Sequence, residues 1–252
     1  ERIAFFAAFA IFSVSIVAAS ISFFLSGTER VPAFGGSYSE GMVGYPRFLN
    51  PVYSSTSDVD RDIVSLLFSG LIYYDFNEGF VPNLIEGISE EDGMTVLRLR
   101  DDLRWSDGER MTAKDVVFTI RVLQDPEYRS PLRPDWVGIG VEEISDLEVG
   151  FRLEQPSVAF INKLSLKIIP KHIWEEVPPQ NFALSRYNLD PVGSGPYRIK
   201  SSTEEREGIV TSIVLEPNPH YHGKAPYIEE ISILFFGNEE DVLAAARRGE
   251  ID

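Results

Sequence analysis

The sequence contains no cysteine among its 252 residues. Without a thiol, these residues can form no disulfide framework, thiolate nucleophile, cysteine-based zinc site or lipidated cysteine. Histidine is nearly as scarce, since only His172, His220 and His222 occur. His220 and His222 flank Tyr221 at strand spacing, so both imidazoles could face one way, but a metal needs more ligands than these two. We expect surface or packing roles for the histidines and no metal site.

Basic residues are also few. The chain has 23 lysines and arginines against 39 aspartates and glutamates, which gives a formal net charge of −16. This charge repels phosphate backbones, and no stretch rich in lysine and arginine reverses it locally. Nucleic acid is therefore not expected as a partner. The acidity could attract cationic ligands, but more often it only keeps an exported protein soluble.

Catalytic motifs are missing as well. No G-x-S-x-G elbow is present, and residues 193–196 (GSGP) lack the lysine and spacing of a phosphate-binding loop. The acidic pairs at 90–91 and 239–240 lie in a predicted turn and at a predicted helix start, where solvated acids are ordinary. No nucleophile, base and orienting group can be recognised together. The sequence predicts that the protein is not an enzyme and uses no cofactor.

One acidic cluster resembles part of a calcium loop. Asp58, Asp60 and Asp62 alternate as calcium ligands would, but the sixth position is Ile63 instead of glycine and the twelfth is Ser69 instead of glutamate. Acidic residues that open a helix explain this cluster better.

A long apolar run stands at the start of the chain. Residues 3–25 include no charged side chain, and as a helix they would reach about 34 Å, enough to cross a hydrocarbon core of about 30 Å. A signal peptide is the alternative, because Ala18, Ala19 and Ser20 are small residues near a possible cleavage point. The length favours an uncleaved anchor, so residues 1–27 are interpreted as a transmembrane anchor or signal segment that meets the membrane through 3–25.

A linker of glycine, serine, proline and polar residues is expected at 28–36, and the fold should begin near Ser37. Hydrophobic periodicity and capping residues predict helices at 58–70, 112–125 and 239–249. Alternating apolar residues predict strands at 95–100, 147–153, 209–215 and 228–236. Helices and strands are intermixed without strict alternation, which predicts a mixed α/β fold.

The segment LRDDLRWSDGERMTAKDVVFT at 99–119 strongly resembles the signature of bacterial extracellular solute-binding proteins, family 5, the oligopeptide-, dipeptide- and nickel-binding components of ABC importers. Seven further blocks match the family in the same order: FLNPVY at 48–53, LLFSGLIYYD at 66–75, VPNLIEG at 81–87, IIPKHIW at 168–174, DPVGSGPYRI at 190–199, LEPNPHYHGKAPYIEEI at 215–231 and RRGEID at 247–252. We interpret these blocks mainly as structural elements of the fold. Ser106, Asp107 and Gly108 form a turn that presents Trp105 to a core, so neither Trp105 nor Asp107 is expected to be catalytic.

This resemblance implies a periplasmic-binding-protein fold of the second class, in which two lobes close on a ligand. Residues 37–68 and 168–252 would form the first lobe, still incomplete, and 69–167 a domain inserted into it. The second lobe would follow Asp252, because family members are about twice as long as this chain.

By the same resemblance, the first-lobe wall of the ligand site would be the strand before the LNP block, with contributions from the turn at 193–197 and from the end of the last helix. The residues expected there are Gly44, Tyr45, Pro46, Arg47, Gly195, Tyr197, Arg247 and Arg248. Tyr45 could stack or donate a hydrogen bond, and Arg47 or Arg247 could meet a carboxylate. Packing or solvent exposure remains an equal alternative for each.

The function that the resemblance implies is that of a substrate-binding component of an ABC importer. Such a protein binds peptides or similar small solutes outside the cytoplasmic membrane, in the periplasm or at the cell surface, and delivers them to permease subunits. The N-terminal helix would keep it beside its permease. A membrane-anchored sensor or interaction protein that reuses the same fold is the alternative.

Overall fold

The computed structural model describes residues 2–27, 32–153, 160–205 and 208–252. The chain divides into two compact units, Glu1–Phe34 and Gly35–Asp252. The first unit holds helix α1 (Arg2–Gly27), in which Phe5–Phe24 is long and apolar enough to cross a membrane by length and composition. Part of the predicted linker, residues 28–31, lies outside the described residues, and residues 32–36 carry no helix or strand.

The second unit, called the body below, mixes short helices with three sheets. Its strands are β1 (Ser37–Val43), β2 (Ile72–Asp75), β3 (Gly79–Pro82), β4 (Ile85–Glu91), β5 (Met94–Leu99), β6 (Gly140–Ser145), β7 (Glu148–Arg152), β8 (Tyr197–Glu204), β9 (Val210–Pro217) and β10 (Glu230–Phe236). Its helices are α2 (Asp58–Leu67), α3 (Ala113–Gln124), α4 (Arg133–Trp136), α5 (Phe160–Lys163), α6 (Lys171–Trp174), α7 (Pro179–Phe182) and α8 (Glu239–Arg248). Single 3₁₀ turns lie at Ser54–Thr56, Pro126–Tyr128 and Arg186–Asn188.

The first sheet has the order β1-β10-β9-β8. β1 runs parallel to β10, whereas β9 is antiparallel to both β10 and β8. On β10, Ile231, Ile233 and Phe235 are buried, and the residues between them are only half-buried. The alternation that predicted a strand from the sequence therefore reflects a sheet with one face on the core.

The second sheet has the order β4-β5-β7-β6 and is antiparallel throughout. Helix α3 packs on it through fully buried side chains that include Val116, Ile120 and Leu123. The hairpin of β2 and β3 is a separate two-stranded ladder. One cluster of buried apolar side chains runs through the whole body.

The predicted starts of α2, α3 and α8 and the predicted end of α8 are confirmed by their capping contacts. At α2, the Ser57 side chain accepts a hydrogen bond from the Asp60 N–H. Thr112 and Asp115 form a reciprocal capping box at α3. Asn238 caps α8, which ends at Gly249 with φ 71°. These short-range signals are local enough to be readable from sequence.

Two boundaries differ from the prediction. Helix α2 stops at Leu67, three residues before Gly70, because Phe68 is extended and the Ser69 N–H donates to Ser194 Oγ. The strand expected at Gly44 to Arg47 is wrong, since β1 ends at Val43 and Gly44 has φ 105°. A glycine in this positive-φ region turns the chain out of the sheet.

Candidate functional site

The loop at residues 44–47, called the β1 loop, leaves the sheet where two parallel strands end together. Val43 and Phe236 are paired terminal residues of β1 and β10, and the Gly44 N–H donates to the Phe236 carbonyl at 2.8 Å. Tyr45 is 40% exposed, and its hydroxyl lies 3.7 Å from where a Cβ on Gly237 would be. The carboxyl ends of parallel strands are a common place for ligands, so this loop is a candidate ligand-facing surface.

A buried carboxylate holds the β1 loop in place. The Arg47 N–H donates to Asp60 Oδ1 at 2.8 Å, and Asp60 is 0% exposed. Burial raises the pKa of Asp60, while hydrogen bonds from the backbone of Arg47 and Phe48 act in the opposite direction. Pro46 is buried, whereas the Arg47 side chain is exposed and has no ion pair within the described residues. The loop is thus fixed through its backbone and leaves the Arg47 guanidinium available.

The turn at 193–197 lies inside the body. The Gly195 N–H donates to the Leu67 carbonyl at 2.8 Å, and a Cβ on Gly195 would lie 2.4 Å from the Leu66 carbonyl oxygen. Tyr197 is 6% exposed, and its hydroxyl donates to the Ile228 carbonyl at 3.1 Å. Gly195 and Tyr197 therefore join the end of α2 to the first sheet and do not present side chains to solvent.

The two arginines that end α8 have different surroundings. Arg248 forms an ion pair with Glu250, with Nε 2.6 Å from Oε1. Arg247 is exposed and has no ion pair in the described part of the chain. After these arginines, the Asp252 N–H donates to the carbonyl of Ser39 in β1 at 2.9 Å, so Asp252 lies beside β1.

A crevice that the sequence did not reveal opens near the start of α2 and has a volume of about 350 Å³. It is lined by Pro51, Ser54, Ser55, Arg61, Val64, Leu132, Asp135, Trp136, Asn162, Lys163, Ser165, Leu166 and Lys167. These residues come from three separate stretches of the chain. The volume is within the range of small-molecule sites, and the lining combines the apolar Pro51, Val64, Leu132, Trp136 and Leu166 with polar and charged side chains.

Two long-range hydrogen bonds join chain segments that neighbour lining residues of the crevice in sequence. The Tyr53 hydroxyl donates to the Tyr128 carbonyl at 2.7 Å, and the Ser130 hydroxyl donates to the Val52 carbonyl at 2.8 Å. On the opposite side, Lys163 Nζ donates to the carbonyl of Asp135. The only sequence signal was the block at 48–53, which was interpreted as part of the fold.

The residues that had suggested metal or catalytic chemistry are scattered. His172 Nε2 lies 2.9 Å from Asp107 Oδ2, and His222 Nε2 lies 2.9 Å from Asn83 Oδ1. Residues 219–222 form no strand, so His220 and His222 are not brought onto one face. Within the described residues, no three histidine, aspartate or glutamate side chains are grouped to hold a metal ion. Trp105 is 0% exposed, which confirms its predicted core role.

Comparison with known proteins gives a consistent set of relatives. The model of the family "Bacterial extracellular solute-binding proteins, family 5 Middle" matches residues 79–252. The oligopeptide-binding protein AppA of Bacillus subtilis is 31% identical over 227 residues, which cover 88% of this chain and 41% of AppA. Protein XP55 of Streptomyces lividans is 27% identical over 84% of this chain and 38% of its own length.

Solved structures agree with these relatives. AppA from Bacillus subtilis in complex with a nonapeptide superposes with a TM-score of 0.79 at 29% identity, over 88% of this chain and 44% of that one. The substrate-binding protein CtaP from Listeria monocytogenes gives 0.74 at 31% identity, over 87% and 44%. NikZ from Campylobacter jejuni with Ni(L-His) gives 0.74 at 26% identity, over 86% and 42%. The predicted mixed α/β fold is confirmed, and the chain spans less than half the length of these proteins.

Proposed function

Because the chain belongs to the bacterial extracellular solute-binding proteins of family 5, we propose that it is part of the substrate-binding component of an ABC importer. The component would capture peptides or similar small solutes outside the cytoplasmic membrane and deliver them to permease subunits. The observation that carries this proposal is the superposition of the body on AppA, a structure that holds a nonapeptide.

The proposal assigns no chemical step to the chain. AppA and CtaP, named above, are binding proteins by their own descriptions. Transport needs only that the solute be held and released unchanged, which fits a site of hydrogen-bond donors and acceptors around apolar side chains.

We propose that ligand contacts come from the crevice and from exposed groups of the β1 loop. The crevice offers backbone and hydroxyl groups at the 3₁₀ turn Ser54–Thr56, beside the apolar Trp136. Tyr45 and Arg47 are exposed at the β1 loop, and Arg247 is exposed at the end of α8. Gly195 and Tyr197 are buried, so they would support this surface and would not contact the ligand.

We further propose that residues 69–167 form a domain inserted into a lobe made of 37–68 and 168–252. The two four-stranded sheets come from different parts of the chain, which supports the boundaries of the proposed insertion. All strands of the first sheet lie within 37–43 and 197–236, and all strands of the second sheet lie within 85–152. The backbone bridge between Gly70 and Lys167 joins the two ends of the proposed insertion.

Peptide binding and its site can be tested by calorimetric titration of the full-length gene product with a pool of peptides of two to nine residues. We expect saturable binding by the unmodified protein. Ser55→Trp should abolish it, because the indole would fill the exposed mouth of the crevice. Arg47→Ala should weaken it about tenfold if the guanidinium meets a ligand carboxylate.

The matched controls are Ser89→Trp on the exposed part of β4 and Arg121→Ala at the end of α3, both of which should bind like the unmodified protein. Titrations with nickel chelates and sugars cover the other small solutes. If no peptide, chelate or sugar gives heat, the importer proposal is contradicted.

We propose that α1 anchors the protein to the membrane and is not removed. Its apolar stretch is longer than the apolar region typical of a signal peptide, which supports the anchor, although a signal sequence near the N-terminus meets the same length and composition criteria. The expected result is that the protein stays in the membrane fraction after carbonate extraction and that mass spectrometry finds α1 still attached. A mature protein that begins near Ser20 would contradict the anchor without affecting the binding proposal.

A further inference from the structure

A second cavity, called the tyrosine pocket, lies between the end of α2, the β2–β3 hairpin and residues 221–224, with a volume of about 630 Å³. It is lined by Ser65, Phe68, Ser69, Gly70, Ile72, Tyr73, Tyr74, Pro82, Asn83, Arg100, Ser165, Lys167, Pro196, Tyr221, His222, Gly223 and Lys224. Ser165 and Lys167 also line the crevice. The remaining lining residues belong to the pocket and not to the crevice.

The charge of this lining contrasts with that of the whole protein. The chain carries a net charge of −16, yet the described residues of the lining include three basic side chains and no aspartate or glutamate. Asp102 is not a lining residue, but it binds Arg100 in a bidentate ion pair, with Nε–Oδ1 and Nη2–Oδ2 distances of 2.9 and 2.7 Å. A concentration of positive charge in an acidic protein indicates recognition of an anion.

Lys167 differs from the other two basic residues of the pocket because its amine has no polar partner among the described residues. Arg100 is paired with Asp102, and Lys224 Nζ donates to the Tyr227 hydroxyl at 2.6 Å and lies 4.7 Å from that ring. The Lys167 amine has no hydrogen bond or ion pair within the described residues. Burial lowers the pKa of Lys167, which shows that its charge is poorly solvated.

Aromatic rings form the other half of the pocket. Tyr73 is 47% exposed, and the Tyr221 ring packs over Gly223, where a Cβ would lie 2.6 Å from it. Burial and the nearby Tyr73 raise the pKa of Tyr221, so its hydroxyl stays protonated and can donate. Flat rings that line the pocket together with the unpartnered ammonium group of Lys167 suit a planar, negatively charged ligand.

We propose that the tyrosine pocket is a binding site for a small aromatic carboxylate, with Lys167 as the counter-charge and Tyr73 and Tyr221 as the surfaces that contact the ring. A carboxylate supplies the single charge that one desolvated ammonium can neutralise. The pocket and the proposed peptide crevice share Ser165 and Lys167, but Ser55 lines only the crevice and Tyr73 and Tyr221 line only the pocket. Substitutions at these unshared residues therefore test the two proposals separately.

The test is calorimetric titration of the full-chain protein with sodium benzoate, with benzyl alcohol as the neutral analogue and phenyl phosphate as the dianionic one. We expect benzoate to bind at least tenfold more tightly than either analogue. At alkaline pH, binding should draw a proton onto Lys167, because the carboxylate stabilises the charged amine. Titrations in two buffers of different ionisation enthalpy measure this proton uptake.

Lys167→Met should weaken benzoate binding at least tenfold and remove the proton uptake, and Tyr221→Leu should weaken it with the proton uptake retained. The control Lys114→Met removes an exposed lysine outside the pocket and should change neither quantity. Tryptophan fluorescence verifies that each variant is folded.

Ser55→Trp should leave benzoate binding intact even where it abolishes peptide binding. Equal affinity for benzoate and benzyl alcohol, tighter binding of phenyl phosphate, or no binding of benzoate would overturn the proposal.

Discussion

Replacing Gly193 with alanine is expected to destabilise the folded protein strongly. A Cβ at this position would lie 2.0 Å from the carbonyl oxygen of Leu67 and 3.0 Å from its carbonyl carbon. Leu67 is the last residue of α2 and is 1% exposed, so this backbone cannot move aside without disturbing the core. We expect a loss of about 4 kcal/mol or more in the free energy of unfolding. That is about a quarter to four fifths of a typical stability of 5–15 kcal/mol.

Urea unfolding followed by tryptophan fluorescence measures this loss. The three tryptophans, Trp105, Trp136 and Trp174, all lie in the body, so the signal reports on the body alone. The control is Gly87→Ala in β4, where an added Cβ meets nothing within 4 Å and the stability should hardly change. A Gly193→Ala protein with an unchanged unfolding midpoint would show that the contact with α2 is not as tight as described.

Substitution of Asp115 by alanine is expected to cost about 2–4 kcal/mol of stability. The Asp115 side chain is 4% exposed and accepts two backbone hydrogen bonds at 2.8 Å, from the N–H of Thr112 and from the N–H of Lys171. The first hydrogen bond caps the N-terminus of α3, and the second links this helix to the first residue of α6. Alanine would leave both donors without a partner in the interior, where an unmade hydrogen bond is costly.

The same unfolding assay separates this role from a general charge effect. Asp115→Asn should lower the free energy of unfolding less than Asp115→Ala does. The asparagine side chain keeps one acceptor oxygen but turns its amide group toward the other backbone donor. The control Asp146→Ala removes an exposed carboxylate 3.4 Å from Lys114 Nζ and should change stability by less than about 0.5 kcal/mol. Equal losses for Asp115→Ala and Asp146→Ala would contradict the proposed role of Asp115.

The pH dependence of the Asp115 contribution has a definite sign. Burial raises the pKa of Asp115 in the folded protein, so the folded state holds this proton to a higher pH than the unfolded chain, in which the carboxyl titrates near about 3.9. The stabilisation that this carboxyl contributes to the folded protein is therefore complete at a pH below its unfolded pKa, and it declines as the pH rises through its folded pKa. The stability gap between the unmodified protein and Asp115→Ala should be larger at acidic than at neutral pH.

Much of the fold could be predicted because its signals are local. Thr112 and Asp115 predicted the start of α3 and Asn238 the start of α8, since a capping side chain bonds to a backbone only two or three residues away. Strands β5, β7, β9 and β10 were predicted within a few residues because one face of each is buried and the apolar residues alternate. Strand β4 was missed, because its exposed acidic end and Gly87 hide the alternation.

The candidate site was much less predictable. The sequence directed attention to Gly195 and Tyr197, which the structure places in the interior, and to a strand at Gly44 that is a loop. It gave no indication of the crevice or of the tyrosine pocket. Lys167 illustrates the reason: within the segment LSLKIIPKHIW it resembles any lysine that flanks a buried strand.

By itself, the sequence determined the mixed α/β class, the helix ends, the apolar segment at the N terminus and, through eight ordered blocks, the family. These depend on neighbours in the chain or on residue order. Only the tertiary structure decided which side chains face a cavity, because Ser55, Trp136 and Lys167 meet across separations of about 30 to 110 residues. It also decided which charged groups find a partner, since Arg100 pairs with Asp102 whereas Lys167 has no polar partner among the described residues.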